Sequence, residues 1–283
     1  MRQHGWIIAL FGSGCSDYEL QQINLLIPED DSAVGSDWIR DPHFDTGIPD
    51  WPWLDDPDDS VLEDDRPRAS APIYLNTSAQ LWSWDPREDT LLQIGPFTGI
   101  EGVVDNMTDI AIDGEGRMYG CTHNALFQVD PETAVVERVG NLPFGTTGLT
   151  FVSDDLLIAA GDGAYVIDAG RATISGVLVQ QGVFTTAGDL VGLPDGLLYW
   201  TVLNRSGSGD QLVIVNPNNR NIALRGELEQ VGVWGMAYAD GVLYGFQSGG
   251  HWLAIDPRNG GTSMGSFDRA ASWWGAATNP IQW

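Results

Sequence analysis

Polar and apolar positions repeat in a fixed order from about residue 70 to the end of the chain. A short apolar strand ends in Tyr or Ile, a polar turn follows, and a later strand closes on Asp-Pro or a close variant. Successive first anchors lie 45, 39, 41 and 45 residues apart, a spacing typical of the four-stranded blade of a β-propeller. The anchor pairs are Tyr74 with Asp85-Pro86, Tyr119 with Asp130-Pro131, Ile158 with Asp168-Ala169, Tyr199 with Asn216-Pro217, and Tyr244 with Asp256-Pro257.

A short strand of small or apolar residues marks the start of each blade. Small side chains suit the innermost strand, because the blades crowd around the axis there. Turns such as Pro194-Asp195-Gly196 and Asp240-Gly241 follow these strands, and Asp-Gly supplies the positive φ that a tight hairpin needs. The predicted inner strands are 109–112, 149–152, 189–193, 235–238 and 275–278.

The number of inner strands predicts how the ring closes. The first repeat, Tyr74 to about Phe97, has no inner strand before it, and the segment Trp273–Thr278 has no outer strands after it. Pairing the two completes a blade from both ends of the chain and removes exposed sheet edges. We therefore predict an all-β, five-bladed β-propeller over residues 70–283, closed by the C-terminal strand pairing into the first blade.

Composition narrows the classes of partner. Glycine accounts for 35 of 283 residues, which disfavours a helical bundle. The 13 basic residues are all Arg, and the 39 Asp and Glu residues give a formal net charge of -26. Such a chain repels phosphates, so we expect no nucleic-acid partner. Neutral or cationic partners and a monomeric chain are expected.

The amino-terminal segment has the features of an export signal. Trp6–Phe11 is an apolar run too short to span a bilayer, and Gly12-Ser13-Gly14 precedes Cys15. This segment resembles a bacterial lipoprotein signal, although Gly12 stands where the family usually has an aliphatic residue. The resemblance implies a signal peptide over 1–15 and lipidation (palmitate) of Cys15. By the same resemblance Ser16 favours the outer membrane; an ordinary signal peptide or a mis-assigned start are the alternatives. With Cys15 lipidated, Cys121 has no disulfide partner.

Residues 16–69 differ in character from the repeats. From Ser16 to Arg66 there are 16 Asp or Glu residues against two Arg, and the apolar positions show no sustained period. We predict an acidic tether that is mostly disordered, in which the segment Trp38–Leu54 alternatively docks onto the propeller. The run 55–59 lacks the Gly that a calcium loop needs, so no metal site is predicted.

Candidate binding residues come from the loops that enter the inner strands, which share one face of a propeller. Aromatic rings with carboxyl and hydroxyl groups around a concave mouth can stack a sugar or grip a peptide. The alternative is that these side chains only plug the axis. The ligand-binding candidates are Asp109, Thr147, Asp189, Trp234, Trp273 and Trp274.

Two functional classes remain after these observations. The pattern resembles bacterial extracytoplasmic propellers with an Asp-Pro turn per blade, which implies a membrane-tethered binding or scaffold module for a glycan, peptide or envelope protein. Five-bladed glycoside hydrolases of the arabinanase type are the alternative, because Asp109 and Asp189 lie on non-neighbouring inner strands and can face each other. No Glu on an inner strand accompanies them as the acid that such an enzyme needs. The segment Asp41-Pro42-His43 resembles an opening motif of that family, but it lies in the tether and not on an inner strand. No catalytic residue, cofactor or metal ligand is predicted, since the sequence contains none of the usual metalloprotease, zinc, phosphate-loop or hydrolase motifs.

Overall fold

The computed structural model describes residues 72–280 except 100–101, 105, 153–155 and 205–208. The predicted signal peptide (1–15), the lipidation residue Cys15 and the predicted tether (16–69) lie outside the described residues. Within these ranges the chain forms five four-stranded antiparallel sheets and one two-stranded sheet. No helix in this part of the chain is long and apolar enough to cross a membrane. The predicted five-bladed β-propeller is confirmed.

The first two blades are separated by a short hairpin. Blade 1 contains β1 (Ile73–Asn76), β2 (Gln80–Asp85) and β3 (Thr90–Pro96); the hairpin is β4 (Thr98–Gly99) and β5 (Gly102–Val103); blade 2 contains β6 (Asp109–Ile112), β7 (Met118–Thr122), β8 (Ala125–Val129) and β9 (Val136–Asn141). The hairpin was not predicted, and a parallel bridge from Thr98 to Val135 connects it to the region that precedes β9.

The other three blades follow one another along the chain. Blade 3 contains β10 (Gly148–Val152), β11 (Leu156–Gly161), β12 (Gly163–Asp168) and β13 (Thr173–Val179); blade 4 contains β14 (Thr186–Gly192), β15 (Leu198–Leu203), β16 (Asp210–Val215) and β17 (Ile222–Glu227); blade 5 contains β18 (Gly235–Ala239), β19 (Val242–Phe246), β20 (His251–Ile255) and β21 (Thr262–Ser266). Each chain segment therefore runs from an inner strand at the axis to an outer strand at the rim.

The ring closes where the sequence predicts. The last strand, β22 (Gly275–Ala277), pairs antiparallel with β1 and supplies the inner strand of blade 1. Trp274 N–H extends the pairing with a 2.8 Å hydrogen bond to the carbonyl of Asn76. A surface contact joins blades 5 and 1, because Arg87 Nε donates a 2.8 Å hydrogen bond to Asp240 Oδ2.

The turn between the third and fourth strands has the same geometry in every blade. Its Asp or Asn side chain accepts a hydrogen bond from the backbone N–H two residues later, as in Asp256 to Arg258 at 2.9 Å. The fifth residue of each turn is left-handed, and only one of the five is glycine. These residues are Asp89, Ala134, Ala172, Arg220 and Gly260, with φ from 47° to 78°.

Aromatic side chains fill the space between blades 5 and 1. Trp84 makes edge-on contacts with Tyr244, Phe246 and Phe267, at centroid separations of 5.1 to 5.9 Å. Trp273 continues this cluster against Phe267 at 5.5 Å. The seam that the two ends of the chain close is therefore packed with large rings, which contribute more apolar contact area than small side chains.

Candidate functional site

The five inner strands present two carboxyl groups and three glycines at the top of the axis, the end at which the inner strands begin. Taken in order around the ring, the first inner-strand position of blades 1 to 5, or its equivalent in blade 4, is occupied by Gly275, Asp109, Gly148, Asp189 and Gly235. Both Asp side chains are fully buried. Gly275 and Gly148 leave room for the two carboxyl groups, since Cβ atoms there would lie 2.0 Å from Asp109 Oδ1 and 3.4 Å from Asp189 Oδ1.

Asp109 connects blade 2 to blade 3. Its Oδ1 accepts a 2.8 Å hydrogen bond from the N–H of Ile110, and its Oδ2 accepts one from the N–H of Leu149. Leu149 directly follows the glycine that begins the next inner strand. The Asp109 carboxyl group therefore bridges the gap between the inner strands of blades 2 and 3, which are not hydrogen-bonded to each other through their backbones.

Asp189 repeats the arrangement between blades 4 and 5. Its Oδ1 accepts a 2.6 Å hydrogen bond from the N–H of Leu190, and its Oδ2 accepts one of 2.6 Å from the N–H of Met236. The Thr201 hydroxyl donates to the Asp189 carbonyl at 3.0 Å and accepts from its N–H at 3.2 Å. Asp189 is consequently fixed at both its backbone and its side chain.

The two carboxyl groups are hydrogen-bonded to each other across the axis. Burial raises the pKa of Asp109 well above its usual range, and the charge of Asp189 and the bond to it raise it further. Burial also raises the pKa of Asp189, to about 7, although the bonds from Asp109 and from the N–H groups of Met236 and Leu190 oppose the rise. Each carboxyl group accepts two backbone N–H bonds, so a proton between them belongs to the pair and not to one residue.

Asn76 and Gly275 adjoin this pair from blade 1. A Cβ placed on Gly275 would lie 2.0 Å from Asp109 Oδ1 and 2.6 Å from Asn76 Oδ1, so both oxygens point to one place. Asn76 is fully buried and its Oδ1 has no hydrogen-bond partner, whereas its Nδ2 donates to the carbonyl of Met107 at 3.2 Å. Asn76 is not among the predicted site residues, because nothing in the sequence of β1 marks one polar residue as facing the axis.

Cys121 and Thr108 complete the surroundings of Asp109. The Thr108 hydroxyl donates to the carbonyl of Cys121 at 3.0 Å and lies 3.3 Å from its sulfur. Burial raises the pKa of the Cys121 thiol to about 12. Such a thiol remains protonated near neutral pH and is not a nucleophile.

Below the carboxyl pair the axis is nearly filled. A cavity of about 10 Å³ remains, roughly the space for one water molecule. Its lining comes from the inner strands and the residue after β22, namely Ala111, Ile112, Thr150, Val191, Ala276 and Thr278 among others. This cavity is too small for a ligand larger than about one water molecule.

The aromatic candidates separate into a buried ring and two exposed rings. Trp273 is fully buried, whereas Trp234 is 46% and Trp274 38% exposed. Trp273 is therefore the deeply packed ring, and Trp274 is only slightly less exposed than Trp234. Trp273 precedes the strand by two positions and turns into the aromatic seam, where it also contacts Trp82 at 5.9 Å.

The two exposed indoles lie on neighbouring strand entries. Trp234 and Trp274 directly precede Gly235 and Gly275, and a Cβ on Gly235 would lie 2.8 Å from the carbonyl carbon of Gly275. Val231, 62% exposed, precedes the same inner strand as Trp234. The top face thus carries an apolar rim, which we define as Val231, Trp234 and Trp274.

Thr147 does not share this exposure. Its Oγ1 is buried and has no hydrogen-bond partner. Four of the six candidate residues, Asp109, Thr147, Asp189 and Trp273, therefore have buried side-chain polar groups, and only Trp234 and Trp274 offer a ring to a ligand.

Neither a protein-family model nor a curated protein matches this sequence. The fold has solved counterparts. A chain in the nidogen/laminin complex aligns with a TM-score of 0.50 and 10% identity, over 75% of this chain and 98% of that one. TolB from Acinetobacter baumannii aligns with a TM-score of 0.45 and 18% identity, over 74% of this chain and 54% of that one.

Hydrazine synthase from Kuenenia stuttgartiensis aligns with a TM-score of 0.43 and 18% identity, over 66% of this chain and 61% of that one. The chain therefore matches less than two thirds of the hydrazine synthase and TolB chains. At these identities the likenesses show the propeller fold alone, a fold that hosts many unrelated functions.

Proposed function

We propose that this protein is an extracytoplasmic binding or scaffold module that is tethered to the bacterial envelope through Cys15. Its partner, a glycan, a peptide or an envelope protein, binds at the apolar rim of Val231, Trp234 and Trp274. The observation that carries the proposal is the pair of exposed indoles on adjacent strand entries. Large exposed aromatic groups that lie together are typical of binding surfaces, because water solvates them poorly.

The sealed axis supports binding rather than hydrolysis. A glycoside hydrolase needs two carboxyl groups roughly 5 to 9 Å apart that both reach the sugar. Asp109 and Asp189 are instead bonded to each other and fully buried. We therefore do not assign the arabinanase-type reaction to this pair.

The binding proposal is tested with the full chain carrying Cys15→Ser, screened against glycan and peptide arrays. Ligands that emerge are then titrated against Trp234→Ala and Trp274→Ala. Met264→Ala is the matched control, because Met264 is 63% exposed on the outer strand of blade 5, away from the rim. We expect each Trp variant to lose about tenfold or more in affinity, which is about 1.4 kcal/mol, and the Met variant to bind like the parent. Unchanged binding in both Trp variants refutes the rim as the site.

The tethering proposal is tested separately in cells. The parent protein is expected in the membrane fraction, and Cys15→Ser in the soluble extracytoplasmic fraction, since acyl chains on the cysteine supply the membrane affinity. A mature parent protein that is soluble and starts at a residue other than Cys15 contradicts the lipid anchor without affecting the rim.

A further inference from the structure

Three buried acceptor groups lie together at the top of the axis, and none of the described side chains brings a positive charge to them. The carboxyl groups of Asp109 and Asp189 face each other, and Asn76 Oδ1 approaches Asp109 Oδ1 without a donor of its own. Carboxylates and amide oxygens are all acceptors. Two ionised carboxylates in contact inside a protein are strongly unfavourable, because neither is hydrated.

No cation of the chain faces this group within the described residues. Six strands contribute a residue to the surroundings of the pair, namely Asn76 of β1, Cys121 of β7, Leu149 of β10, Thr201 of β15, Met236 of β18 and Gly275 of β22. Of these, only Cys121 titrates, and its raised pKa keeps it neutral. Arg and His are absent from the contacts of both Asp residues.

We propose that one proton bound between Asp109 and Asp189 is a structural part of the ring, and that its loss at alkaline pH loosens the top of the axis. The bound proton provides the donor for the bond between the carboxyl groups. It also leaves the remaining oxygens free to accept the N–H groups of Leu149 and Met236, which join blade 2 to blade 3 and blade 4 to blade 5. Removal of the proton places two like charges in contact, and the carboxyl groups must separate or hydrate.

A proton is favoured over a metal ion by the packing. Each of the four carboxyl oxygens already accepts a backbone N–H, and these groups direct their positive ends toward the site. A calcium ion needs six to eight oxygen ligands. The cavity in this part of the chain lies lower on the axis and has room for roughly one water.

The sign of the pH effect follows from linkage. A carboxyl group whose pKa is raised on folding binds a proton that the unfolded chain has released, so stability is present at low pH and falls as pH rises. The fall begins near the unfolded Asp value of about 4 and continues at least to the Asp189 value of about 7. Each excess proton lowers the folding equilibrium constant about tenfold per pH unit across this window.

The test measures urea unfolding of the full chain carrying Cys15→Ser at pH 5, 6, 7 and 8. About 0.5 M NaCl is present, because salt screens the general repulsion of an acidic surface but not a buried pair. The parent should lose about tenfold or more in folding constant per pH unit between pH 5 and 7. In Asp109→Asn the slope should fall by about tenfold per unit relative to the parent. Asp189→Asn serves in the same role if the first variant does not fold.

Asp113→Asn is the matched control. Asp113 is equally buried and lies directly after the same strand, β6, but it pairs with the guanidinium of Arg117 at 2.6 Å. Its removal should lower stability and leave the slope parallel to that of the parent. Parallel slopes in the parent and in both axis variants overturn the proposal.

A direct observation does not depend on any variant folding. In the infrared spectrum of the native chain, a protonated-carboxyl band should be present at pH 6 and decline as the pH is raised through and above 7.

The same unfolding series is repeated with calcium chloride and with a chelator. If calcium raises the stability of the parent at pH 8 and leaves Asp109→Asn unchanged, the site binds a cation and the proton proposal is wrong. Identical curves with calcium and with chelator, together with the carboxyl band, support the proton.

Discussion

Gly275 lies so close to Asp109 that a Cβ on the glycine would be 2.0 Å from the Asp109 carboxyl oxygen. The last strand of the chain therefore packs against the carboxyl pair with no room for a side chain at position 275. The same Cβ would be 2.6 Å from Asn76 Oδ1 and 2.7 Å from the Cα of Asp109. Backbone and fixed side chains form this contact, so they cannot rotate away.

We expect Gly275→Ala to destabilise the protein by about 3 kcal/mol, the upper part of the usual range for overpacking. Gly145→Ala is the control, because a Cβ at Gly145 meets nothing within 4 Å. Both variants are compared by urea unfolding with a common m-value. Equal stability of the two variants would mean that the closing strand shifts outward without cost.

Trp273 and Trp274 should differ sharply in what they contribute to stability. Trp273→Ala removes a fully buried ring from the aromatic seam and should cost about 3 to 5 kcal/mol. Trp274→Ala should cost less than Trp273→Ala, because its ring is 38% exposed. Trp273→Phe should fall between them, since it keeps apolar contact and removes an indole N–H that has no hydrogen-bond partner. Thermal unfolding of the three variants checks the order, and a larger loss for Trp274→Ala contradicts it.

The sequence revealed those parts of the fold that local chemistry determines. The Asp side chains of the turns and the small residues of the inner strands repeat once per blade, so the blade count and the closing strand followed from their spacing. The spacing does not establish that Asp109 meets Asp189, because the distance across the axis depends on how tightly five blades pack. That both side chains are sealed from solvent was also not readable from the spacing.

Other features had no repeating signal. Asn76 reaches the axis only because the two ends of the chain pair. A single polar residue in β1 does not predict that position. Trp273 and Trp274 are adjacent and precede the strand, where the alternation of a strand does not yet apply. Packing against Trp82 and Phe267 therefore determines which of the two indoles is buried.

The left-handed turn residues give a prediction about backbone conformation. Gly260 has φ of 78°, and a Cβ there would come no closer than 3.4 Å to its neighbours. Gly260→Ala should therefore cost about 1 kcal/mol from conformation alone. Arg220→Gly at the equivalent turn of blade 4 should be neutral or stabilise by up to about 1 kcal/mol, because Arg220 holds φ of 63° with a side chain.

Asn218→Gly is the control for the turn of blade 4, since Asn218 has no positive φ and gains no relief. It should destabilise the protein slightly through the entropy of the unfolded chain. Chemical unfolding of the set separates the two effects. If Arg220→Gly destabilises as much as Asn218→Gly, the left-handed conformation carries no strain in this turn.

Cys121 should report the opening of the axis beside Asp109. In the Cys15→Ser chain it is the one remaining thiol, and burial raises its pKa to about 12. At pH 8 its thiolate fraction is about a thousandfold below that of an ordinary cysteine, and no reagent reaches a fully buried sulfur. We expect a disulfide reagent to modify the native protein only as fast as the blades separate, with a rate that rises with urea. Asp109→Asn should increase this rate at pH 6 more than Asp113→Asn does, because only Asp109 bonds the strand of blade 3 next to the thiol. Rapid modification that does not depend on urea would show that Cys121 is accessible in the folded ring and that blades 2 and 3 are not held together there.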